Sequence, residues 1–310
     1  MSRSTVRALR IGGSIVLLVA VVILLPRGEL LGALRRTSPT ALALSVGLFS
    51  LCHVMAACKW RMLMGRDTDV AWGKAIRAHF SGLVGNLSPL GMVGGDLVRA
   101  GVAINGSTQS SAIMLSSVVD RIVDTAALML LAFSGFIWFG GQSEMAGVVL
   151  LGGLVVSAGG IGVLFTAHAL LRRTQNVRLA GMRSAFDMLL SDPGLIARAL
   201  ALSLLIQLSL IALNAYIGAS VGVDTPFAAW LLAWPAAKVA GYLPVGFAGF
   251  GVRETALVAL MAPFGGAAGP VLAAGLLWDA VLMVGSVGGW LLLSIAGAAP
   301  ARTVPRIQKT

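Results

Sequence analysis

Nine charged residues lie within or beside apolar segments of this sequence. An isolated charge near the centre of a bilayer costs from about 2.5 kcal/mol on insertion scales to about 10 kcal/mol or more in simulations. Such residues therefore persist when they are paired, when they line a cavity, or when they bind a ligand. The set comprises Arg99, Arg121, Lys238 and Arg253, against Asp96, Asp120, Asp124, Glu254 and Asp279. These nine residues are the candidates for a functional site.

The spacing of four of these residues predicts two kinds of contact. Asp96 and Arg99 are three positions apart, so they share a helical face and can form an ion pair. Asp120 and Asp124 are four positions apart, which brings two carboxylates together on one face. Two neighbouring carboxylates need a compensating charge if both are to stay ionised.

Arg121 is a poor compensator for Asp120, because adjacent residues of a helix point about 100° apart. We therefore expect the compensating charge to come from another segment, or from a bound cation or proton. The candidate cations are Arg99, Arg253 and Lys238. The candidate proton or cation sites are Asp120, Asp124 and Asp279.

Two glycine-rich segments carry most of these charges. The first runs from Pro89 to Arg99 and the second from Pro244 to Arg253, so the proline and the arginine are ten and nine positions apart. In each segment a glycine follows the proline by two positions, and an acidic residue lies close to the arginine. Proline and glycine interrupt an ordinary spanning helix. The pattern predicts broken helices whose ends meet a polar substrate near the bilayer midplane.

Arginine side chains next to glycine-rich helix starts suit a phosphate, because guanidinium binds its oxygens bidentately and glycine lets the backbone approach. We predict that Arg99, Arg121 and Arg253 face an anionic headgroup, with Arg99 and Arg253 meeting across a pseudo-two-fold axis. Asp96 and Glu254 would orient the arginines. The glycines that permit close approach would be Gly94, Gly95, Gly249 and Gly251. The alternative is that these charges are ion pairs of the scaffold only.

The composition requires a membrane. The chain has 310 residues, of which 57% are hydrophobic and 11% charged, and its mean hydropathy is +0.91. Soluble domains carry about a quarter charged residues. Six apolar runs are predicted to be membrane spans: 11–25, 40–57, 111–139, 145–171, 196–218 and 269–297. The first run is short for a hydrocarbon core of about 30 Å, so Arg10 and Arg27 would snorkel or the bilayer would thin locally.

The net charge of +11 is distributed unevenly along the chain. Sixteen Lys and Arg residues and four acids fall in four segments, 1–10, 58–77, 172–198 and 298–310. The connections 140–146 and 219–226 contain no basic residue. This positive-inside pattern predicts cytoplasmic termini in a multi-pass protein of the cytoplasmic membrane, and it favours contact with anionic lipid over nucleic acid.

The predicted fold is an all-α polytopic membrane protein with six full spans and two re-entrant hairpins, 78–104 and 227–266. The hairpins enter from opposite sides, which is typical of an inverted-topology repeat. Its halves would be about 40–139 and 196–297, within a single transmembrane domain 1–310. The stretch 172–195 is predicted to be a cytoplasmic interfacial helix.

Other chemistries lack support in the sequence. No phosphate-binding loop of the type that binds ATP is present. His53, His79 and His168 do not have metal-ligand spacing, and Cys52 and Cys58 face different sides of one helix. We expect no cofactor, no metal and no catalytic residue.

At the two glycine-rich segments the sequence resembles the family of lysylphosphatidylglycerol-synthase transmembrane regions, also called flippase-like domain proteins. The resemblance covers roughly 10–297. It rests on Pro89 with Gly94-Gly95-Asp96-Leu97-Val98-Arg99, on Val119-Asp120-Arg121-Ile122-Val123-Asp124, and on Pro244-Val245-Gly246 with Gly249-Phe250-Gly251-Val252-Arg253-Glu254.

The resemblance implies a membrane domain that translocates a lipid: an aminoacylated phospholipid in some members, an isoprenoid or sugar-linked lipid in others. Fused members carry a soluble aminoacyltransferase domain after the membrane part. Here the short tail 298–310 follows the last predicted span, so lipid aminoacylation is not expected. The second half has Trp278-Asp279 where the first has Asp120-Arg121, so the halves are not equivalent.

These observations favour ATP-independent flipping or binding of an anionic lipid or lipid-linked phosphate. One alternative is a membrane-embedded transferase or phosphatase that acts on a lipid phosphate. Another is a non-transporting partner of a lipid-modifying enzyme. The lipid, the direction of transport and homo-oligomer formation stay open.

Overall fold

The computed structural model describes most of the membrane core of the chain. The described residues are 35–65, 68–88, 91–139, 168–173, 180–241 and 251–298, with single positions at 32, 159, 162 and 166. Several predicted features lie outside the described residues: the span 11–25, most of the span 145–171, the connection 140–146, Pro89, the segment 242–250 that holds Pro244 and Gly249, and both chain ends.

Every regular element of the described residues is helical, which confirms the all-α class. In chain order the α-helices are α1 (Pro39–Leu63), α2 (Trp72–Asn86), α3 (Gly91–Ile104), α4 (Ser110–Trp138), α5 (Ala180–Ser191), α6 (Pro193–Ser220), α7 (Phe227–Ala240), α8 (Val252–Met261) and α9 (Ala268–Ala298). A short 3-10 helix, Ala262–Phe264, follows α8.

Four of these helices are long and apolar enough to cross a membrane. They are α1, α4, α6 and the segment Ala268–Ile295 of α9, with 25, 29, 28 and 28 residues. At 1.5 Å per residue each is longer than the hydrocarbon core of about 30 Å. They coincide with the predicted spans 40–57, 111–139, 196–218 and 269–297, so the structure forms helices of spanning length at these four positions.

Two of the long helices begin at a proline, and the polar side chain of the residue just before the proline caps the helix. Ser38 accepts a hydrogen bond from the backbone N–H of Thr40 at the start of α1, where Pro39 is the first helical residue. Asp192 accepts from the N–H of Leu195 at 2.9 Å, just before Pro193 begins α6. Proline fits here because the first N–H groups of a helix have no partner within the helix.

The other helices of the core are short and occur in pairs. Helices α2 and α3 have 15 and 14 residues, and α7 and α8 have 14 and 10. Their lengths of about 15–22 Å fall below the thickness of the hydrocarbon core. Helix α2 packs along α3, α7 packs against α8, and both pairs contact α9 or α4. In the sequence, Pro89 falls between α2 and α3, and Pro244 falls between α7 and α8. Gly94 and Gly95, which were predicted to help break the first helix, lie inside α3.

The interior of the bundle is apolar and aromatic, and so is much of its outer surface. Phe49, Trp230, Trp234 and Trp278 belong to one buried cluster that joins α1, α7 and α9 with α2, α6 and α8. Large apolar side chains also point outward, as Leu292 does with 71% of its surface exposed. Exposed apolar faces on long helices are what a lipid environment requires.

Helix α1 is longer than its apolar run predicts, and this overturns the assignment of Lys59 to a cytoplasmic basic segment. The run 40–57 ends before Lys59, but the helix continues to Leu63 with Trp60 fully buried. The lysine lies inside the helix bundle because carboxylates from another helix neutralise it. Helix α2 likewise begins at Trp72, before the predicted hairpin start at residue 78.

The connection between α1 and α2 is held to the end of α3 by Asp69. Its carboxylate accepts hydrogen bonds from the Ser107 hydroxyl at 2.5 Å and from the Thr108 N–H at 2.8 Å. These donors stabilise the ionised form and lower the pKa of Asp69 below its usual value.

Helix α5 lies inside the other basic segment, 172–198, and within the stretch 172–195 that was predicted to be an interfacial helix. Its Phe186 belongs to the same buried apolar cluster as Leu195 of α6.

Candidate functional site

A lysine joins three of the spanning helices in the middle of the bundle. Lys59 of α1 has no exposed surface, and its Nζ lies 3.0 Å from Oδ1 of Asp120 and pairs with Oδ1 of Asp124, both on α4. The same Nζ donates to the hydroxyl of Ser203 on α6 at 2.7 Å, and that hydroxyl donates to Asp124 at 2.8 Å. The cation position expected between the two carboxylates is therefore occupied by Lys59.

Arg99 of α3 completes the compensation of Asp120. Its Nη1 donates to Oδ2 of Asp120 at 2.8 Å, and its Nη2 lies 3.3 Å from Oδ1 of Asp96. The guanidinium lies over the ring of Trp60, with 4.5 Å between its central carbon and the ring centroid. Arg99 is only 2% exposed, and among the described residues its Nε has no hydrogen-bond acceptor. A buried donor without an acceptor is unfavourable, so this nitrogen can bind a further oxygen.

Arg121 of α4 forms the accessible edge of this network. Its Nε and Nη2 donate to the two oxygens of Asp96 at 2.9 and 2.5 Å, which is a bidentate pair. The side chains of Arg121 and Asp96 are 36% and 28% exposed, whereas those of Lys59 and Asp120 are 0% and 4% exposed. Arg121 thus reaches a carboxylate on the neighbouring short helix.

These six residues are called the Lys59 cluster below. It contains three cations and three carboxylates: Lys59, Arg99 and Arg121, with Asp96, Asp120 and Asp124. The cluster is neutral as a whole when all six groups are ionised. A neutral and internally paired cluster can exist inside a membrane where any one of its members alone could not.

A second cluster, called the Arg253 cluster, lies in the other half of the chain. Arg253 of α8 donates from Nε to Oε1 of Glu254 at 2.9 Å, and its Nη2 pairs with Asp279 of α9. The other oxygen of Glu254 accepts from the N–H of Gly251 at 2.5 Å, which caps the start of α8. Gly251 has φ +84°, a conformation that favours glycine.

The two predicted headgroup arginines, Arg99 and Arg253, are thus bound in separate clusters. Each pairs with an aspartate on the long helix that follows its own short helix, Asp120 on α4 or Asp279 on α9. Each guanidinium also faces a tryptophan ring, which for Arg253 is Trp234 at 5.6 Å. The structure gives both arginines a carboxylate partner where the sequence predicted a shared anion.

Lys238 of α7 lies between the two clusters. Its Nζ donates to Oε1 of Gln207 on α6 at 3.0 Å, and it is within Coulombic range of Asp124 and Arg253. With Lys238 included, five cations face five carboxylates in the bundle. Of the three candidate compensators, Arg99 pairs directly with Asp120, whereas Lys238 donates to a neutral amide.

A pair of histidines lies beside the Lys59 cluster. His53 Nδ1 of α1 and His79 Nε2 of α2 are 3.1 Å apart, which joins these helices by a hydrogen bond between rings. The two histidines are 26 positions apart in the chain, so no metal-ligand spacing in the sequence relates them. Within the described residues, no group of three His, Cys, Asp or Glu side chains could hold a metal ion.

The predicted anion-site glycines have different surroundings. Gly95 faces α2, where a Cβ would overlap Gly82 and Asn86, and Gly94 is also buried. Gly251 caps α8, and Gly249 lies outside the described residues. In the structure, Gly95 therefore serves the close packing of α2 on α3.

Replacement of Gly95 by alanine is expected to lower the free energy of unfolding by about 1–3 kcal/mol, because the methyl group overpacks this interface. Gly101→Ala is the matched control, since a Cβ at this position of the same helix meets nothing within 4 Å. We expect Gly101→Ala to be neutral or stabilising by up to about 1 kcal/mol. Equilibrium unfolding in mixed micelles measures both. Equal stability of the two variants would contradict the packing role.

Sequence reasoning missed Lys59, Ser203 and Gln207. The sequence does contain an indication that the helix continues past Lys59, because apolar residues follow it: Trp60, Met62, Leu63 and Met64. Ser203 and Gln207 gave no such signal, since single polar residues are common in spanning helices. Their roles depend on contacts between α1, α6 and α7.

Four spanning helices with buried ion clusters between them define a polytopic α-helical membrane protein. The family model for the lysylphosphatidylglycerol synthase TM region matches residues 10–289, and the chain belongs to this family. The family connects the protein with the handling of membrane lipids. No curated protein and no solved structure matches the chain.

Proposed function

We propose that this protein translocates an anionic lipid or a lipid-linked phosphate across the cytoplasmic membrane without ATP. The observation that carries the proposal is the bidentate Arg121–Asp96 pair at the accessible edge of the Lys59 cluster. Membership of a lipid-related family supports it. A guanidinium fork that holds a carboxylate can hold two phosphate oxygens in the same geometry.

In this mechanism the headgroup replaces Asp96 on Arg121. Asp96 already lies 3.3 Å from Nη2 of Arg99, so it can remain paired after it leaves Arg121. The Nε of Arg99, which has no acceptor among the described residues, is one further donor in this proposal. The exchange of one anion for another keeps every cation paired, which is the condition for moving charge through a medium of low dielectric constant. Lys59, Asp120 and Asp124 hold the helices in place.

An inverted repeat of two halves, about 40–139 and 196–297, is part of this proposal. The two clusters support it, because each places an arginine on the second helix of a short pair and its aspartate on the next long helix. The Arg253 cluster would then be the counterpart of the Lys59 cluster in the second half. Two re-entrant hairpins entering from opposite sides would give the headgroup a polar route from one leaflet to the other.

The proposed orientation has both termini in the cytoplasm and the basic segments 58–77 and 172–198 on the same side. The bias of Lys and Arg supports it. It survives the reassignment of Lys59, because Arg66, Lys74 and Arg77 still follow the end of α1.

The substitution Arg121→Lys tests the mechanism. Lysine keeps the charge and can still pair with Asp96, but it cannot form the planar fork. We expect about a tenfold lower rate of translocation, corresponding to the loss of one charge-assisted hydrogen bond. The thermal midpoint should change little, since the pair is partly exposed. The measurement is the initial rate at which fluorescent phosphatidylglycerol leaves the outer leaflet of reconstituted vesicles.

Arg198→Lys is the control, because Arg198 is 57% exposed and pairs with an exposed carboxylate, that of Asp192. The Arg198→Lys variant should translocate phosphatidylglycerol at the same initial rate as the unmodified protein. If Arg121→Lys also translocates at the full rate, the fork does not carry the headgroup. A fall in both rate and thermal midpoint would make Arg121 a structural residue. Vesicles with the unmodified protein that move lipid no faster than empty vesicles would refute translocation itself.

A further inference from the structure

A groove with basic walls lies between α2, α3 and α9. It is an open cavity of about 290 Å³ between the first residues of α2, the end of α3 and the last turns of α9. Its lining includes Lys74, Arg77 and Ser81 of α2, with Trp290 and Ser294 of α9. Among the described residues that line it, none is acidic and none belongs to either cluster.

The polar side chains of the groove are suited to a phosphate. Lys74 and Arg77 are three positions apart, so they share a face of α2, and Ser81 follows one turn further along. Lys74 donates one hydrogen bond to the carbonyl oxygen of Asn105 at 2.6 Å, which fixes its position and leaves two donors on the ammonium. Arg77 is exposed. The Ser294 hydroxyl donates to the carbonyl oxygen of Trp290 at 2.7 Å, so Ser81 supplies the hydroxyl donor. Two cations and one hydroxyl, with no carboxylate among the described lining residues, form a site for an anion.

The surface next to the groove is suited to acyl chains. Val102 of α3 and Trp290 of α9 line the groove and are 37% and 39% exposed. One turn further toward the centre of each helix lie Val98 and Val287, which are 40% and 38% exposed. A tryptophan beside basic residues at the end of a spanning helix is typical of the membrane–water interface.

We infer that this groove binds the phosphate of an anionic phospholipid at the membrane surface, with the acyl chains along Val98 and Val287. The inference rests on the proposed lipid function and adds a surface site to it. Its physical basis is access: Arg99 and Lys59 are almost fully buried, whereas the groove is open to a lipid in the adjacent leaflet. The expected occupant is a phospholipid with a single net negative charge, such as phosphatidylglycerol.

Native mass spectrometry of the full chain in mild detergent tests the inference, with phosphatidylglycerol as the probe and phosphatidylcholine as the neutral comparison. Arg77→Gln is expected to weaken phosphatidylglycerol binding about fivefold, and the double variant K74Q/R77Q about twentyfold. Arg173→Gln is the matched control, because Arg173 is exposed but does not line the groove. It should bind like the unmodified protein.

Three results would overturn the site. The first is that K74Q/R77Q binds phosphatidylglycerol as tightly as the unmodified protein does. The second is that the unmodified protein binds phosphatidylglycerol and phosphatidylcholine equally well. Displacement of the lipid by millimolar inorganic phosphate would instead identify a site for free phosphate. If the double variant does not fold, Arg77→Gln alone decides, with the thermal midpoint as the check on folding.

Translocation by the same variants separates this inference from the proposed function. If phosphatidylglycerol binding depends on the groove but the unmodified protein moves no lipid, the groove stands and translocation is refuted. If the unmodified protein moves lipid and K74Q/R77Q binds and moves it equally well, the groove alone is refuted.

Discussion

Replacement of Lys59 by methionine is expected to lower the free energy of unfolding by about 3–5 kcal/mol. The substitution keeps most of the volume of a fully buried side chain but removes the cation between Asp120 and Asp124. Asp124 would lose its ammonium partner and keep only the Ser203 hydroxyl among the contacts described here. Equilibrium unfolding of the purified protein in micelles with increasing dodecyl sulfate gives the change.

The double variant Lys59→Met with Asp124→Asn should recover at least about 2 kcal/mol of this loss, because asparagine carries no charge and Asp120 retains Arg99. Lys74→Met is the control, since Lys74 is half-buried and makes one hydrogen bond to a carbonyl. It should cost about 1 kcal/mol or less. Equal losses for Lys59→Met and Lys74→Met would show that the cluster does not hold the bundle together.

Arg253→Met, in the other half of the chain, is expected to lower the free energy of unfolding by a similar amount, about 3–5 kcal/mol. It leaves Glu254 and Asp279 facing each other, with side chains only 1% and 9% exposed. Glu254 would still accept from the N–H of Gly251, so the start of α8 should stay capped. The same unfolding experiment measures this effect.

Arg253→Met combined with Asp279→Asn should recover a large part of the stability, since a single carboxylate with a backbone donor remains. Arg198→Met serves as the control, because the Arg198–Asp192 pair is exposed and its loss should cost less than about 1 kcal/mol. A stable Arg253→Met protein that no longer moves lipid would instead assign Arg253 to the headgroup.

The sequence determined the class of the fold and the location of four spans. Long apolar runs are sufficient for this, because a segment that must satisfy its own backbone in lipid becomes a helix. The sequence also determined contacts within one helix, such as Asp96 with Arg99, since residues three apart share a face. The prediction was wrong at the end of α1. The span was predicted to end at residue 57, before Lys59, but the helix continues to Leu63.

Only the tertiary structure decided which charge pairs with which. The partners of Lys59 are 61, 65 and 144 positions away in the chain, on α4 and α6. No helical period relates such positions, and several cations could have met each carboxylate. Packing selected among them, because burying an ion inside the bundle is costly unless opposite charges or hydrogen-bond partners compensate it. The same packing gives Arg99 and Arg253 separate carboxylate partners, Asp120 and Asp279, which the sequence alone did not predict.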